Sequence, residues 1–538
     1  MHQNKFPLFC LFLFLACSNL YGQKDNIDQF DQAYIDWYNL DYKQDKVVGT
    51  SVDKAYKELL KDKKPSKKIV VAVIDSGIDI DHDDLKGRIW TNKDEIPDNN
   101  IDDDKNGFVD DIHGWNFIGN SDGENMMFAH YEYTRIYKKF HEKYKDVASA
   151  DKLTGKEKKD YLLYKSAAAN YDREWAKHTE EKEQIQGFAD NYYKAKELIE
   201  PLLGGKKLSL ETVRNIEGDD ELSVALKDFF LKLFENGFEE SGLEHMQKTN
   251  NNYLEYHLNL DFNPREIIGD SPYDMTNVSY GNPNVKGQRS SHGTSVGGVI
   301  AALRNNDLGI NGIAENVELM VLRTVPKGDE YDKDIALSIR YAVDNGANII
   351  NMSFGKGYSP NKEFIDEAAK YAAFKNVLLI HAAGNESTNV DEQPRYPSDK
   401  YLDGTDIPNW MNVGASAKNL DKNLPASFSN YGKDGVDLFA PGHQIISVHP
   451  KNQYNTGSGT SLAAPIVSGV AALVWSYYPD LTAVELKEIL VRSAYPIKRP
   501  KVIKPSNGKS KKTKFKHLSI AGGVVNAYEA LILAEKFR

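Results

Sequence analysis

Between Asn452 and Pro479 the chain carries no charge, and from Ser461 to Trp475 it is apolar almost throughout. A helix that is apolar on all sides has to be buried on all sides, so the rest of the chain must be organised around this segment. The run is introduced by Gly457-Ser458-Gly459-Thr460-Ser461, a glycine-rich turn that sets Ser461 in the first helical turn. Small residues at Gly457, Gly459 and Ala463 let backbone come close to whatever sits beside Ser461. A serine there lies near the positive end of the helix dipole, where a developing oxyanion is stabilised. The same residues also suit an ordinary helix cap. The stretch alone fits both readings, and its partners decide between them.

Lys68-Ile69-Val70-Val71-Ala72-Val73-Ile74 is a continuous apolar run of the buried parallel-strand kind. It ends in Asp75-Ser76-Gly77, which places a carboxylate at the carboxyl end of a strand, where open α/β sheets build their sites. Ser291-His292-Gly293-Thr294 puts a histidine at the opening of a second small-residue helix. The order Asp75, His292, Ser461 is that of the subtilisin triad. These three segments resemble the Asp, His and Ser blocks of subtilisin-like serine peptidases, the subtilases. Ile380-His381-Ala382-Ala383-Gly384-Asn385 looks like the block that supplies the oxyanion-hole asparagine of that family. Ser353-Phe354-Gly355 resembles the segment whose backbone pairs with an extended peptide and lines the pocket for the residue before the scissile bond.

The resemblance implies a serine endopeptidase that acts on proteins or peptides through an acyl-enzyme. Its catalytic residues would be Asp75, His292, Ser461 and Asn385, with substrate contacts from Ser353, Phe354, Gly355, Ala383 and Gly384. Two positions depart from the family pattern: Ser295 stands where a second histidine is usual, and Leu462 where methionine follows the nucleophile. Neither supplies triad chemistry, and Leu462 removes an oxidisable thioether. Two other readings compete. On the same fold the acyl group can pass to an amine, making a peptide ligase or cyclase; a catalytically silent scaffold would instead bind a partner through its helical part.

Strand–helix alternation over 67–123 and 269–538 predicts an α/β catalytic domain, a doubly wound, mostly parallel sheet with helices on both faces. Expected strands are 317–323, 347–353 and 377–380, and expected helices 335–345, 364–374 and 482–492, with a closing helix after Gly522-Gly523. Residues 498–516 read as a basic surface loop, with no stretch left over for a separate C-terminal sorting or binding domain. Between 124 and 268 glycine is sparse, and Tyr133, Tyr137, Phe140 and Tyr144 recur at helical spacing, as do Tyr164, Ala168, Tyr171 and Trp175. This predicts an inserted all-helical subdomain, with further helices over 208–234 and 243–258. Subtilases have a much shorter link between the Asp and His blocks, so the insertion is the main departure from the family.

The first 22 residues read as a signal peptide, with Lys5 ahead of an apolar stretch too short to span a bilayer. The competing route is a lipid anchor through Cys17, in a segment similar to a bacterial lipobox. Either implies export from a bacterium, to the medium, the periplasm or the outer surface. Cys10 and Cys17 are the only two cysteines, so a processed chain has no internal disulfide. Residues 23–66 read as an N-terminal arm packed on the catalytic domain, too short for the folded inhibitory prosegment common among subtilases. The net charge of −11 argues against a nucleic-acid partner. No stretch after the signal segment reads as a transmembrane helix.

The remaining motif is acidic. In Asp98 to Asp111, set against the calcium-loop template, Asp102, Asp104 and Asn106 fall at positions 1, 3 and 5, Gly107 at 6, the Phe108 carbonyl at 7 and Asp110 at 9. His113 occupies position 12 in place of glutamate, which leaves Asp110 or Asp111 to close the cage. The expectation is a structural Ca2+ held by Asp102, Asp104, Asn106, Phe108, Asp110 and Asp111.

Overall fold

The computed structural model describes residues 27–498, 501–506, 508 and 511–537. The signal segment, Cys10 and Cys17 lie outside the described residues. Two compact units emerge: a helical one, Tyr133–Phe262, and a larger one built from Asp25–Glu132 and Asn263–Arg538.

The larger unit is organised on a sheet whose strands, in chain order, are β1 (Ile69–Asp75), β2 (Gly114–Asn116), β3 (Val317–Arg323), β4 (Ile349–Met352), β5 (Leu378–Ala382), β6 (Trp410–Ser416) and β7 (Leu438–Pro441). Outside it lie β8 (Ile445–His449) with β9 (Gln453–Gly457), and further along are β10 (Tyr495–Pro496), β11 (Val502–Lys504), β12 (Lys511–Thr513) and β13 (Gly523–Val524). Among the described residues the main sheet has nine strands in the order β10-β13-β7-β6-β5-β4-β1-β3-β2, parallel except where β10 meets β13. β1 is central, its Val71 level with Leu319 of β3 and with Ile349 of β4.

Strand periodicity divides the core into two layers. Val71 and Val73 point into one cluster with the helices Ser291–Ala301 and Thr460–Tyr477, whereas Ala72 and Ile74 point into the other with Asp332–Asp344 and Lys362–Phe374. Leu319 and Val321 of β3 divide from Met320 and Leu322 in the same way. Helices therefore cover both faces, as the apolar strands require. The chain is α/β, with a mostly parallel sheet and a large helical region besides.

The helix Thr460–Tyr477 is long and apolar enough by composition to cross a membrane, contrary to the sequence expectation, yet it is mostly buried inside the protein. Its apolar surface is used up by the two-layer core. The N-terminal arm also joins that core. Trp37 and Tyr38 are fully buried, with Trp37 Nε1 donating to the Gln444 carbonyl and Tyr38 Oη to that of Asn311, both at 3.0 Å. The basic stretch is more than a loop: β11 and β12 pair within it, pinned by buried Val502 and Phe515.

The helical unit is narrower than residues 124–268. Met126, Ala129 and Ile268 are buried in the larger unit's second core cluster, which draws the boundaries inward. Within the larger unit, Lys356 pairs with Glu132 at 2.7 Å and Arg265 with Asp334 at 2.8 Å. Within the helical unit, Glu132–Tyr144 and the 45-residue Gly155–Ile199 carry the aromatic stripes. Tyr144, Tyr161 and Tyr164 are buried together, and Trp175, though 42% exposed, stacks on Tyr171. The expected helix over 208–234 is two, Leu210–Arg214 and Glu221–Glu235, because the Asp220 side chain caps the N–H groups of Leu222 and Ser223 and restarts the helix. The segment 243–258 ends in a π-helical turn, Tyr253–His257, after the helix Glu240–Asn252.

Candidate active site

Asp75 ends β1, Ser353 follows β4, and Ala383-Gly384-Asn385 follow β5. These strands are neighbours, and strand order changes direction at β1, with β3 and β2 on one side and β4 to β7 on the other. Such a reversal opens a crevice at the carboxyl edge of the sheet. Asp75 and Asn385 lie at that edge, and His292 and Ser461 stand in the first turns of two helices that pack against each other and against the sheet.

Asp75 is 1% exposed. Both of its carboxylate oxygens lie 2.9 Å from His292 Nδ1, and Ser76 donates its N–H to Oδ1 at 2.7 Å. Facing a carboxylate, Nδ1 carries the hydrogen and leaves Nε2 as the basic nitrogen. The side chain as a whole is about half exposed, although the ring stands among many protein atoms. Burial pulls the imidazole pKa down, but the Asp75 charge and hydrogen bond push it up by more, and it ends above the ordinary histidine value. Gly293 permits this approach, since a Cβ there would lie 2.2 Å from the Gly77 carbonyl oxygen and 3.2 Å from Asp75 Cβ.

Ser461 is the second residue of the helix Thr460–Tyr477, which packs against the His292 helix. A Cβ placed on Gly459 would lie 2.8 Å from Ser461 Oγ and 3.7 Å from Asn385 Nδ2, so the hydroxyl and the amide donor face one small space that only glycine leaves open. The amide cannot turn: its Oδ1 accepts from Thr460 N at 2.9 Å and from Thr460 Oγ1 at 3.1 Å, which directs Nδ2 outward. Asn430 holds the loop behind it, donating to the Ala383 carbonyl at 2.8 Å and accepting from the N–H groups of Glu386 and Thr388. Gly384 has φ +102°, and a Cβ there would meet Asn430 Nδ2 at 2.4 Å.

A polar chain absent from the sequence reading ties Ser353 to the helix that carries Ser461. Ser468 Oγ donates to Asn351 Oδ1, Asn351 Nδ2 to Ser353 Oγ, each at 2.9 Å, and Ser353 Oγ to the Ser461 carbonyl at 2.8 Å. Phe354 and Gly355 continue the segment, the Phe354 carbonyl lying 2.8 Å from His381 Nε2. Ser295 donates to the Val448 carbonyl at 2.9 Å, and Leu462 is buried.

The acidic loop gathers differently from the template. Ligand oxygens of Glu95, Asp104 and Asp111 lie within 4.8 Å of one another. Asp102 and Asp110 are not part of this group. Asp102 accepts from Asn106 N and Gly107 N, and Asp110 from Asn99 N and Asn100 N. Asn106 donates to Asp104 and Asp111, while the Phe108 ring packs edge-on against Trp115 and Tyr341. Glu95 lies upstream of the twelve-residue window, where the template does not look. Burial raises the carboxyl pKa of both Glu95 and Asp111, and neighbouring carboxylates add to it.

A sequence model of the Subtilase family matches residues 66–522, and the chain belongs to that family. Alkaline elastase YaB of Bacillus sp. (strain YaB) is 37% identical over 216 residues, 40% of this chain and 52% of that protein. The cell wall-associated protease of Bacillus subtilis (strain 168) is 37% identical over 238 residues, 44% of this chain and 24% of that protein. Subtilisin Savinase of Lederbergia lenta is 34% identical over 233 residues, covering 42% of this chain and 80% of that protein. The chain thus spans about half of the first of these relatives and about a quarter of the second.

Proposed function

We propose that this protein is an exported serine endopeptidase that cleaves peptide bonds of proteins through an acyl-enzyme on Ser461. The observation that carries the reading is the joint placement of two pairs: Asp75 on His292 Nδ1, and Ser461 Oγ with Asn385 Nδ2 on one small space. A serine hydroxyl attacks a carbonyl carbon only as a base takes its proton, and His292 Nε2 is that base. Asp75 fixes the tautomer and stabilises the imidazolium that forms. The oxyanion receives the Asn385 amide and the Ser461 N–H, at the start of a helix whose dipole favours negative charge. His292 then passes its proton to the leaving amine as the C–N bond breaks. Water repeats the sequence, giving its proton to His292 and its oxygen to the acyl carbon, and Ser461 is released.

Ser353, Phe354 and Gly355 on one side and Ala383 and Gly384 on the other would line the peptide. A structural Ca2+ belongs to the same proposal. The all-oxygen donor set of Glu95, Asp104 and Asp111 suits a hard cation, which would neutralise their mutual repulsion and play no part in peptide cleavage. The test is labelling with a serine-directed fluorophosphonate. Labelling and hydrolysis of a denatured protein substrate should both vanish in Ser461→Ala; labelling that persists in that variant would sink the proposal.

A further inference from the structure

His381 stands in β5, four residues before Asn385, and is 2% exposed. Its ring bridges two other parts of the sheet edge. Nε2 lies 2.8 Å from the carbonyl oxygen of Phe354, in the middle of the Ser353–Gly355 segment, and Nδ1 lies 3.0 Å from Asn412 Oδ1 on β6. The ring also backs the next residue, since a Cβ on Gly355 would be 3.6 Å from Nε2.

The Asn412 amide cannot turn to suit the histidine. Its Oδ1 accepts from Trp410 Nε1 and its Nδ2 donates to the Gly435 carbonyl, both at 3.0 Å. Both ring nitrogens therefore face oxygen acceptors. Burial pushes the imidazole down to about 4, so at neutral pH it has one N–H for two acceptors. The nearby charges do not supply a second proton. Arg395 opposes it and is itself paired with Glu386, while Asp437 is engaged by Asn412 N. Asn412 Oδ1 already has the Trp410 donor, whereas among the described residues no other donor reaches the Phe354 carbonyl. The single hydrogen is worth more on Nε2, because an acceptor with no donor at all carries the larger penalty.

We propose that His381 is a positioning residue of the substrate site: as the Nε2–H tautomer it holds the Phe354 carbonyl and thereby sets the course of the Ser353–Gly355 backbone against which the peptide lies. It touches neither the reacting atoms nor the triad, so its effect falls on peptide binding. The inference rests on the peptidase reading for its functional part and on the ring geometry for the rest.

The experiment compares His381→Leu, which fills the site without a donor, with His381→Gln, whose amide can still donate. Each is assayed on a series of chromogenic peptides differing in the residue before the scissile bond, and for its rate of labelling by a small fluorophosphonate. His381→Leu should raise KM about tenfold while leaving kcat and the labelling rate within about twofold, and His381→Gln should recover most of the loss. Unchanged KM, or equal losses in labelling and in peptide turnover, would overturn the proposal. A second measurement needs no variant: 15N NMR of the wild-type ring should show the hydrogen on Nε2, and a hydrogen on Nδ1 refutes it. Should the wild-type protein neither label nor cleave, the peptidase reading falls, and the tautomer still decides whether His381 holds Phe354.

Discussion

The Ser353 hydroxyl donates a 2.8 Å hydrogen bond to the backbone carbonyl of Ser461, the carbonyl that Pro465 leaves without its helical partner. In an α-helix that carbonyl would receive the N–H four residues on, and proline has none. The helix Thr460–Tyr477 is thus completed by a side chain from the Ser353–Gly355 segment, and the two are fastened together. Ser353→Ala removes that donor and also strands Asn351 Nδ2. It should cost about 1–3 kcal/mol of stability, read as a lower urea midpoint at unchanged slope. An unaltered midpoint would mean that solvent satisfies the Ser461 carbonyl and that the bond holds nothing together.

On the proposed mechanism, Asn385 contributes a donor aimed at charge that exists only during reaction. Its Oδ1 is committed to Thr460, so replacement by leucine loses the outward Nδ2. Turnover should fall by about 10²–10³, the loss such a donor carries in a subtilisin, with KM nearly unchanged. Steady-state kinetics on one peptide decides it. A rise in KM at constant kcat would move Asn385 from the oxyanion to the ground-state substrate.

The His292–Asp75 pair predicts a pH dependence of definite sign. The folded imidazole holds its proton more tightly than an ordinary histidine with its pKa of 6.5, because the Asp75 charge and hydrogen bond outweigh burial. Stabilisation from the pair is therefore complete below about pH 6.5 and is lost as pH rises through the folded pKa. Activity runs the other way, since only the neutral ring accepts the serine proton. The acid limb of kcat/KM should lie above pH 6.5. Asp75→Asn should shift it downward and cut kcat by about 10⁴. A limb unmoved by that substitution would assign it to another group.

Why the places of Asp75, His292 and Ser461 in the fold were legible and other features were not comes down to the range of the contacts. Asp75 at a strand end and Ser461 and His292 at helix starts are signalled by their own neighbours, a β-branched run or a glycine turn. His381 sat in a recognised block, yet its meaning depends on Phe354 and Asn412 from the two flanking strands, a register no local pattern encodes. Ser353's bond to Ser461 likewise spans 108 residues. The stretch 208–234 is two helices because Asp220 caps and restarts the chain, a break that apolar spacing alone does not signal. Glu95 was overlooked because the calcium template is a contiguous loop, whereas here a residue from ahead of the loop folds onto it.

That difference in metal donors makes the last prediction discriminating. If the cation is held by Glu95, Asp104 and Asp111, adding Ca2+ to chelator-treated protein should raise Tm, since binding to the folded state alone stabilises it by mass action. Glu95→Gln removes one charge from the group and should abolish most of that calcium-dependent increment. Asp102→Asn should lower the baseline stability, because Asp102 accepts two backbone N–H groups of the loop, but should leave the increment intact. Thermal unfolding of the three proteins with and without calcium separates the cases. An increment lost with Asp102 and kept with Glu95 would restore the contiguous loop as the cage; no increment in the unaltered protein would leave the acidic group as a site of mutual repulsion whose cost is met by the hydrogen bonds from Asn92, Asn106 and Tyr341.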